Sequence, residues 1–334
     1  MYKLLFAGYS AENRTKASGY EHIVDFKDNE FDTYYLDAKN LPFGSIAVGS
    51  RGKRINCYFL EFCMHSVSYK YDIIHNFHPD NQLLIPYPNH RSYKTIATTH
   101  LNYHDFSKWQ LHVLRSYDAV IVLNSKEETI LRSHGINAVY IPHGFNVPVF
   151  NKNKSILDEY KQKINICFSG LCYRDYEALE YFINAIQNRN DLCLHILGQR
   201  KNTKESLKNK NYKNIVIYDF LSDDDYYSVF SSCDYSFLPL TFATANNTLM
   251  EAQSLGIPSI LRDMEGIEDY ACKDERTNII YSKNDDLLKI IDSLTKQDIS
   301  PELIKYSQNF SWGKIFKTTR QLYKNVIEGK GATL

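Results

Sequence analysis

A polar cluster stands just before a short predicted helix in the segment TANNTLMEAQSLGIPSI, residues 244–260. The spacing from Thr248 to Glu251 fits a capping box, in which a glutamate side chain binds the backbone N–H of the capping residue. Unpaired N–H groups at a helix start also favour anions. Glu251 is therefore either a helix cap or part of a ligand site. The polar residues that would share such a site are Thr244, Asn246, Asn247 and Thr248.

A second polar segment follows the apolar run INICFSG, which ends at Gly170. A glycine allows close backbone approach, and Tyr173 and Arg174 come next, near the start of a predicted helix. A guanidinium at that position can bind a diphosphate through two N–H groups at once. The alternative is an ion pair between Arg174 and Asp175 or Glu177.

Histidines and an acid follow strand-like runs in the first half of the chain. His100 comes directly after KTIATT, His104 and Asp105 follow it closely, and His143 precedes Gly144 in a turn. At the end of a strand these side chains can reach a ligand, or they can be structural polar groups at the start of a helix. Two histidines also suggest a metal, but no matching third ligand is evident in the sequence, so no metal site is predicted.

A long polar loop, GYSAENRTKASGYEHIV, follows the first predicted strand. The spacing from Gly8 to Gly19 does not give the dinucleotide-binding fingerprint GxGxxG. The loop is therefore either a solvated surface segment or part of a binding site for an acceptor substrate or its phosphates. In the second case Asn13 and Arg14 would contact that substrate.

Apolar runs of strand length alternate with helix-like segments through most of the chain, which predicts parallel β-sheets with covering helices. In SKEETILRSHG, Ser125 is expected to cap the helix, Glu128 stands at the capping-box position and Gly135 ends the helix. The polar run around Pro148 interrupts the alternation and is typical of a linker. The pattern then restarts, so the sequence predicts two similar α/β halves.

Three acidic residues, Asp223, Asp224 and Asp225, follow Ser222 at a predicted helix start. They could form a metal-binding triplet, but acids at this place complement the helix dipole, so we interpret them as capping residues. The later segment SWGKIFKTTRQLYKNVI has the period of an amphipathic helix. Its predicted apolar face consists of Trp312, Ile315, Phe316, Leu322 and Tyr323.

Composition narrows the classes of protein. The chain has 334 residues, which suits two domains, and its 39 basic residues balance 39 acidic ones. A duplex-binding protein usually carries a basic excess, so nucleic acid is not expected as a partner. Seven scattered cysteines without a CxxC pair predict reduced thiols in a cytoplasmic protein. No apolar run reaches the ~18 residues that cross a bilayer, and the first segment turns polar too soon for a secretory signal.

The sequence therefore predicts an α/β protein with two Rossmann-like parallel-sheet domains that face a central cleft. The predicted boundaries are residues 1–148, residues 149–310, and a C-terminal helix at 311–334 that could pack back on the first domain. Ligands of open parallel sheets bind outside the carboxyl ends of the strands, so the cleft is the expected site.

The two Rossmann-like halves, the segment LPLTFATANNTLMEAQSLGIPSI and the closing FSW…Y helix together resemble the GT-B glycosyltransferases of the family-4 type. The segments VLNSKEETILRSHGINAVYIPHGFN and GIEDY are also similar. The resemblance covers the whole chain and is strongest from about Ile164 to Leu294. It implies that the C-terminal half binds a nucleotide diphosphate sugar, that the N-terminal half binds the acceptor hydroxyl compound, and that no bound metal is required.

The resemblance also implies roles for single residues. Glu251 matches the glutamate that binds the donor ribose hydroxyls, and Arg174 matches the basic residue that neutralises the leaving diphosphate. His100 matches the histidine that contacts the transferred sugar. The predicted donor site comprises Gly170, Tyr173, Arg174, Thr244, Asn246, Asn247, Thr248 and Glu251. The predicted acceptor site comprises Asn13, Arg14, His104 and His143.

The chain departs from the family pattern at two positions. Ala243 stands where a glutamate that contacts the donor sugar is expected, and Leu171 stands where a basic residue directly follows the glycine. A second cation for the diphosphate would then come from elsewhere, with Lys201 and Lys204 as candidates. An inverting enzyme would also need a general base in the N-terminal half. The candidates for that base are Asp105 and, second, Glu21.

The resemblance implies a hexosyltransferase-type enzyme that uses UDP rather than GDP and retains rather than inverts configuration, in the synthesis of cell-envelope polysaccharide or glycoconjugate. The alternatives are a catalytically degenerate nucleotide-sugar-binding protein and a sugar-nucleotide epimerase or hydrolase on the same fold. The segment VGSRGKRINCYFLEFCMHSV is either a buried helix with a solvated basic start or a patch that contacts an anionic membrane from the cytoplasm and collects a lipid-linked acceptor. Its basic residues are Arg51, Lys53 and Arg54.

Overall fold

The computed structural model describes residues 1–9, 17, 19–25, 27–41, 49–153, 156–170, 173–198, 212–219, 221–274 and 277–334, with the backbone alone at 49–56 and at 81. The chain divides into two compact units. Unit 1 comprises Met1–Arg14, Ser18–Phe145 and Phe310–Leu334. Unit 2 comprises Thr15–Ala17 and Asn146–Asn309.

Each unit contains a six-stranded sheet in which the described strands all pair in parallel. In unit 1 the strand order is β2-β1-β3-β4-β5-β6 and in unit 2 it is β12-β11-β10-β7-β8-β9. The strands are β1 Tyr2–Gly8, β2 Phe31–Asp37, β3 Ile73–Asn76, β4 Lys94–Thr99, β5 Ala119–Val122, β6 Ala138–Tyr140, β7 Ile164–Ser169, β8 Leu192–Leu197, β9 Ile215–Ile217, β10 Tyr235–Leu238, β11 Ser259–Arg262 and β12 Asn278–Tyr281.

Helices connect these strands and cover the sheets. Because the helices shield both faces, central strands such as β5 and β8 are buried along their whole length and are almost uninterrupted apolar runs. The described α-helices are α1 Gly49–Val67, α2 Lys108–Leu114, α3 Ser125–Ser133, α4 Tyr176–Ile186, α5 Asp223–Phe230, α6 Asn247–Ser254, α7 Asp286–Ser293, α8 Pro301–Ser307 and α9 Trp312–Ile327.

The strand order reverses once in each sheet. In unit 1 the chain places β2 on one side of β1 and β3 on the other, and in unit 2 it places β8 on one side of β7 and β10 on the other. Ligands of open α/β sheets bind outside the carboxyl ends of the strands at such a switch point. The prediction of two Rossmann-like parallel sheets is confirmed, and each sheet has one switch point where a site is expected.

The helix caps differ in part from the sequence prediction. Asn124, not Ser125, caps α3, because it still has extended backbone angles and its side chain accepts the Lys126 N–H at 2.8 Å. Glu128 does not complete a capping box, since its carboxylate accepts the backbone N–H of Tyr140 at 3.0 Å. The helix does end before Gly135, whose φ is 75°.

The first turn of α5 agrees with the prediction. Ser222 caps the helix by accepting the N–H of Asp225 at 3.2 Å, and the three aspartates occupy the first turn, where their charge complements the helix dipole.

Helix α9 follows unit 2 along the chain but belongs to unit 1. All five residues predicted for its apolar face are buried. Tyr323 on this helix hydrogen bonds to His75 of β3 at 2.7 Å. A Cβ atom at Gly144 would overlap with the indole of Trp312. Only glycine therefore lets the backbone at position 144 lie this close to the ring. Among the helices in the described ranges, none is long and apolar enough to cross a membrane.

Candidate donor and acceptor sites

Two loops meet at the switch point of unit 2, one after β7 and one after β10. The N–H of Asp175 donates to the carbonyl of Pro239 at 2.8 Å, and the N–H of Thr241 donates to the carbonyl of Tyr173 at 3.0 Å. These backbone bonds fix the loops to each other, so that the residues after β7 lie beside those that precede α6.

Arg174 is buried between these loops. Its Nε donates to the carbonyl of Ser169 at 2.8 Å, and its Nη2 donates to the hydroxyl of Thr248 at 3.0 Å. Gly170 has a φ of 96°, and a Cβ atom there would overlap with the guanidinium. The glycine therefore makes room for Arg174 itself, which holds a positive charge at the start of α6.

Asp175 pairs with a different cation from the one considered in the sequence. Its carboxylate forms an ion pair with Arg262 and accepts the N–H of Ala178 as the N-cap of α4. Asp175 thus anchors the helix that follows Arg174.

Helix α6 begins earlier than the capping-box prediction requires. Asn246 is its N-cap and accepts the N–H of Leu249 at 2.9 Å, so Asn247 is the first helical residue and Thr248 is the second. The predicted capping box from Thr248 to Glu251 is therefore wrong, because Asn246 is extended and its side chain reaches the third helical N–H first.

Glu251 is instead held by two tyrosines of α5. Its carboxylate accepts the hydroxyls of Tyr227 at 2.9 Å and Tyr226 at 3.2 Å, and only 3% of the residue is exposed. The hydroxyls of Tyr226 and Ser169 are 2.7 Å apart. Burial and the charge of Glu251 raise the pKa of Tyr226 well above its usual value, so Tyr226 stays protonated. Since Tyr226 donates its proton to Glu251, Ser169 donates to the oxygen of Tyr226.

A hydrogen-bonded series thus runs from Arg174 through Ser169 and Tyr226 to Glu251. We call these residues, with Thr248 and Tyr227, the α6 network. The sequence analysis missed the two tyrosines. Two adjacent tyrosines on a helix that packs against the core could have signalled them, since a buried hydroxyl requires a partner.

The remaining residues predicted for the donor site lie on the same loops. Thr244 is buried, as is Ala243, where the family pattern has a glutamate. Tyr173 is exposed with a φ of 55°, which is rare for a large side chain, and its ring lies 4.9 Å from that of Phe242. Three residues considered at this site, Leu171, Lys201 and Lys204, lie outside the described residues.

His100 follows β4, the strand beside β3 at the switch point of unit 1. Its Nε2 donates to the carbonyl of Phe77 at 2.8 Å, so this nitrogen carries a proton. The ring stacks on that of His78 with centroids 4.9 Å apart, and Tyr20 packs edge-on against it at 5.8 Å. Imidazole and phenol rings therefore form this end of the sheet.

Asp80 holds the backbone of His100 and was missed in the sequence. Its carboxylate accepts the His100 N–H at 3.0 and 3.2 Å. Desolvation raises the pKa of Asp80 to about 7, against hydrogen bonds that lower it. Asp80 follows the strand-like run YDIIHNF closely, so an inspection of the residues after this run, like that made after KTIATT, would have found it.

Among the other candidates in unit 1, His143 lies beside His100, with the two ring centroids 6.3 Å apart. His143 is buried, with its ring 5.5 Å from that of Tyr20 and 5.4 Å from that of Trp312. His104 and Asp105 are exposed on a 3₁₀ turn after β4. Glu21 lies partly buried on the 3₁₀ helix Tyr20–Asp25. Asn13 and Arg14 lie outside the described residues.

Within the described ranges, no group of three or more His, Cys, Asp or Glu side chains has an arrangement that could hold a metal ion.

Comparisons with known proteins agree with this architecture. Residues 163–297 match the family model described as glycosyl transferases group 1. The fold is similar to sucrose-phosphate synthase from Thermosynechococcus elongatus, with a TM-score of 0.74, 15% identity, and coverage of 98% of this chain and 100% of that one. It is also similar to Anabaena HepE in complex with UDP and glucose, with a TM-score of 0.66, 15% identity, and coverage of 97% and 100%.

A third similar structure is the lipopolysaccharide outer core galactosyltransferase WaaB, with a TM-score of 0.64, 15% identity, and coverage of 98% of this chain and 99% of that one. No curated protein sequence matches the chain. At these identities the structures establish the fold, and the family match at 163–297 adds the enzyme class. The chain has the GT-B fold, and its residues 163–297 match the glycosyltransferases of group 1, which confirms the resemblance to GT-B glycosyltransferases noted in the sequence.

Proposed function

We propose that this enzyme transfers a hexosyl group from a nucleotide diphosphate sugar, with UDP rather than GDP as the nucleotide, to a hydroxyl group of a glycan or lipid-linked glycan. The observation that carries the proposal is Arg174, buried at the switch point of unit 2 and hydrogen-bonded to Thr248 in the first turn of α6. Its positive charge and the N–H groups of a helix start lie together where open α/β sheets bind ligands.

The α6 network suits the leaving group of such a transfer. Departure of the sugar leaves negative charge on the diphosphate, and a fixed guanidinium stabilises charge that develops in the transition state. Thr248 and Ser169 hold the Arg174 side chain in place, so little reorganisation is needed. Under this proposal the chain supplies the stabilising charge and no metal is required.

The nucleotide would extend from Arg174 toward Glu251. We propose that Glu251 binds the ribose hydroxyls, with Tyr226 and Tyr227 orienting its carboxylate. Thr244, Asn246, Asn247 and Gly170 would line the diphosphate, and Tyr173 would contact the donor from its exposed position. HepE, similar in fold, is a structure in complex with UDP and glucose, which supports a UDP-sugar donor here.

Unit 1 would bind the acceptor. We propose that His100 contacts the transferred sugar and that Asn13, Arg14, His104 and His143 bind the acceptor. We also propose that configuration is retained, because retention requires no general base from this unit. If the reaction inverts instead, Asp80, Asp105 and Glu21 are the carboxylates to test, and Asp80 has a pKa of about 7, suited to a base at neutral pH.

The proposed setting is the synthesis of a cell-envelope polysaccharide or glycoconjugate on the cytoplasmic face of a membrane. WaaB, similar in fold, is a lipopolysaccharide galactosyltransferase, which supports an envelope acceptor. Peripheral contact with anionic lipid forms part of this proposal, since Tyr58 and Phe62 of α1 are exposed.

Calorimetric titration with UDP, GDP and their sugar conjugates tests the donor site directly. We expect UDP and UDP-sugars to bind, and Glu251→Gln to weaken binding while Glu177→Gln, an exposed acid of α4, leaves it unchanged. Release of UDP from UDP-sugar, followed by NMR of the anomeric proton, then reports turnover and stereochemistry. Tight binding without turnover on any acceptor would favour a degenerate binding protein, and preferred binding of GDP would contradict the choice of nucleotide.

A further inference from the structure

Two aromatic rings lie at the switch point of unit 2, one on each of the loops that follow β7 and β10. Tyr173 and Phe242 contact each other, with ring centroids 4.9 Å apart and ring planes at 47°. Tyr173 is 56% exposed, whereas Phe242 is half-buried. We call these two residues the aromatic pair. A single exposed tyrosine is ordinary on a protein surface, so its exposure alone does not mark a site.

The backbone at Tyr173 is held in a conformation that large side chains rarely adopt. Its φ is 55°, where a residue with a Cβ atom is strained and glycine is not. The carbonyl of Tyr173 accepts the N–H of Thr241 at 3.0 Å. On the other side of Arg174, the N–H of Asp175 donates to the carbonyl of Pro239 at 2.8 Å. The chain thus fixes a strained tyrosine whose ring stays open to a ligand, and strained residues cluster at ligand-binding sites.

Tyr173 and Glu251 belong to opposite faces of the sheet of unit 2. Side chains alternate along β7, so that Phe168 lies in the apolar cluster of α4 and Cys167 in that of α5 and α6. Tyr173 comes just before α4, whereas Glu251 is on α6 and binds α5. Arg174 connects the two faces, because its guanidinium reaches the first turn of α6. The guanidinium therefore lies between the aromatic pair and the carboxylate.

We propose that the aromatic pair binds the hexosyl group of the donor by stacking on the carbon face of its pyranose ring. This inference rests on the proposed function and names the part of the donor that Tyr173 contacts. A diphosphate at Arg174 with its ribose at Glu251 leaves the opposite side, where the aromatic pair lies, for the sugar. The C–H bonds on one face of a pyranose are apolar with partial positive charge, and the face of an aromatic ring is negative.

The residue after Phe242 supports recognition through ring contact. Ala243 is buried and its side chain is a methyl group, so this position offers the sugar no hydrogen bond from a side chain. Tyr173 and Phe242 are the aromatic side chains of these two loops in the described ranges. The aromatic pair would thus hold a hexose by its carbon skeleton and orient it beside Arg174.

Calorimetric affinities of the full chain for UDP and for UDP-hexoses test the aromatic pair. Loss of a sugar contact weakens binding of the UDP-hexose and leaves that of UDP unchanged, so the ratio of the two dissociation constants is compared between proteins. Tyr173→Gly should weaken binding of UDP-glucose or UDP-galactose, whichever the parent binds, by roughly fivefold. Because glycine suits a φ of 55°, this variant should keep a Tm close to that of the parent.

Three further variants separate the ring from other effects. Tyr173→Phe should bind the UDP-hexose like the parent, since the ring is retained and its hydroxyl is not used. Phe242→Leu should weaken binding about twofold, because Tyr173 then loses the ring that supports it. Tyr69→Ala is the matched control, since this tyrosine of unit 1 is 69% exposed against 56% for Tyr173. It should leave both affinities unchanged.

Saturation-transfer NMR with the same UDP-hexose identifies which part of the donor contacts the rings. In the parent, the carbon-bound protons of the hexose should receive saturation together with those of uracil. In Tyr173→Gly the hexose signals should fall while the uracil signals stay unchanged. A fall confined to the uracil signals would mean that the aromatic pair stacks on the base, which would overturn the proposal.

The affinities give further outcomes that decide the matter. An equal loss for UDP and UDP-hexose in Tyr173→Gly, unchanged affinity for both, or a similar loss in Tyr173→Phe would overturn the proposal while intact UDP binding leaves the proposed donor standing. If the parent binds GDP-hexoses instead, the same ratio is measured with GDP. A loss confined to the GDP-hexose would then support the aromatic pair and refute the choice of UDP. A parent that binds no nucleotide sugar would refute both.

Discussion

The switch points of the two sheets occupy the same topological place and carry different chemistry. In unit 2 a guanidinium, hydroxyls and a carboxylate are linked through Arg174, Tyr226 and Glu251. In unit 1 the equivalent ends of the strands carry stacked rings, with His78 against His100 and Tyr20 beside both His100 and His143. The shared scaffold fixes where a ligand binds, and the loops after the strands decide what kind of ligand it is.

The two switch points also differ in the charges that they bury. Burial lowers the pKa of His75, below the rings of unit 1, to about 3, and raises the pKa of Asp80 to about 7. In unit 1, His75 is thus neutral at neutral pH and Asp80 titrates close to it, whereas unit 2 buries the charge of Arg174. This contrast suits a hydroxyl-bearing acceptor in one unit and an anionic donor in the other.

The largest effect is expected from Arg174, which carries the buried charge of unit 2. We expect Arg174→Ala to lower kcat by roughly a hundredfold, on the order of 3 kcal/mol, because the developing charge on the diphosphate loses its fixed cation. UDP release from UDP-sugar measures the change. Arg189→Ala, which removes a partly exposed arginine paired with Asp191 and Asp292 in the same unit, should retain activity. If Arg174→Ala is as active as the parent, Arg174 does not take part in the reaction.

The ring cluster of unit 1 is most sensitive at Gly144. A Cβ atom there would overlap with the Trp312 indole, so Gly144→Ala should lower the free energy of unfolding by about 2 kcal/mol through overpacking. Urea unfolding followed by near-UV circular dichroism measures the loss. The double variant Gly144→Ala/Trp312→Leu should have nearly the same free energy of unfolding as Trp312→Leu alone, because the smaller leucine leaves room for the added methyl group. If Gly144→Ala lowers the free energy of unfolding equally in both backgrounds, the overlap with Trp312 is not its cause.

The carboxylate of unit 2 is tested at Glu251. Glu251→Gln should weaken UDP binding about tenfold, close to 1.5 kcal/mol, because hydrogen bonds to a charged acceptor are stronger than those to an amide. Calorimetry measures the affinity, and thermal unfolding without nucleotide separates this effect from damage to the Tyr226 and Tyr227 contacts. A large fall in Tm with unchanged affinity would make Glu251 purely structural.

The smallest expected effect is the pH dependence that Asp80 gives to unit 1. Its pKa in the folded state is raised from 3.8 to about 7, so between these values the folded protein binds more protons than the unfolded chain. Its stabilising contribution is complete below about pH 4 and is lost as the pH rises through 7. From pH 5 to pH 8 the parent should lose on the order of 1 kcal/mol relative to Asp80→Asn, a value reduced for the partial exposure of Asp80. Parallel urea-stability profiles of the two proteins would contradict this.

The architecture could be predicted from the sequence because the patterns that specify strands and helices are local. Apolar runs of strand length separated by helical segments require parallel sheets, and the interruption near Pro148 lies close to the change from unit 1 to unit 2 after Phe145. The buried face of α9 followed from its period in the same way. Polar groups at strand ends were also placed correctly, since Arg174 and His100 do follow β7 and β4.

The partners of these groups could not be read from local pattern. Glu251 fits a capping box by spacing, but its carboxylate binds tyrosines 24 and 25 residues earlier in the chain. Capping rules also fail by a residue or two where neighbouring residues are all good caps, as at Asn124 with Ser125 and at Asn246 with Asn247 and Thr248. Long-range hydrogen bonds are set by tertiary packing, which the period of a sequence does not encode.

The return of α9 to unit 1 has a consequence for the order in which the protein is made. The main segment of unit 2, Asn146–Asn309, is inserted into unit 1 between Phe145 and Phe310, and these two residues are joined by a backbone hydrogen bond of 2.8 Å. During synthesis every residue of unit 2 therefore emerges before unit 1 is complete. Unit 1 begins first and is completed last. Until Trp312 and Tyr323 are synthesised, the nascent unit 1 lacks the rings that pack against His143 and His75.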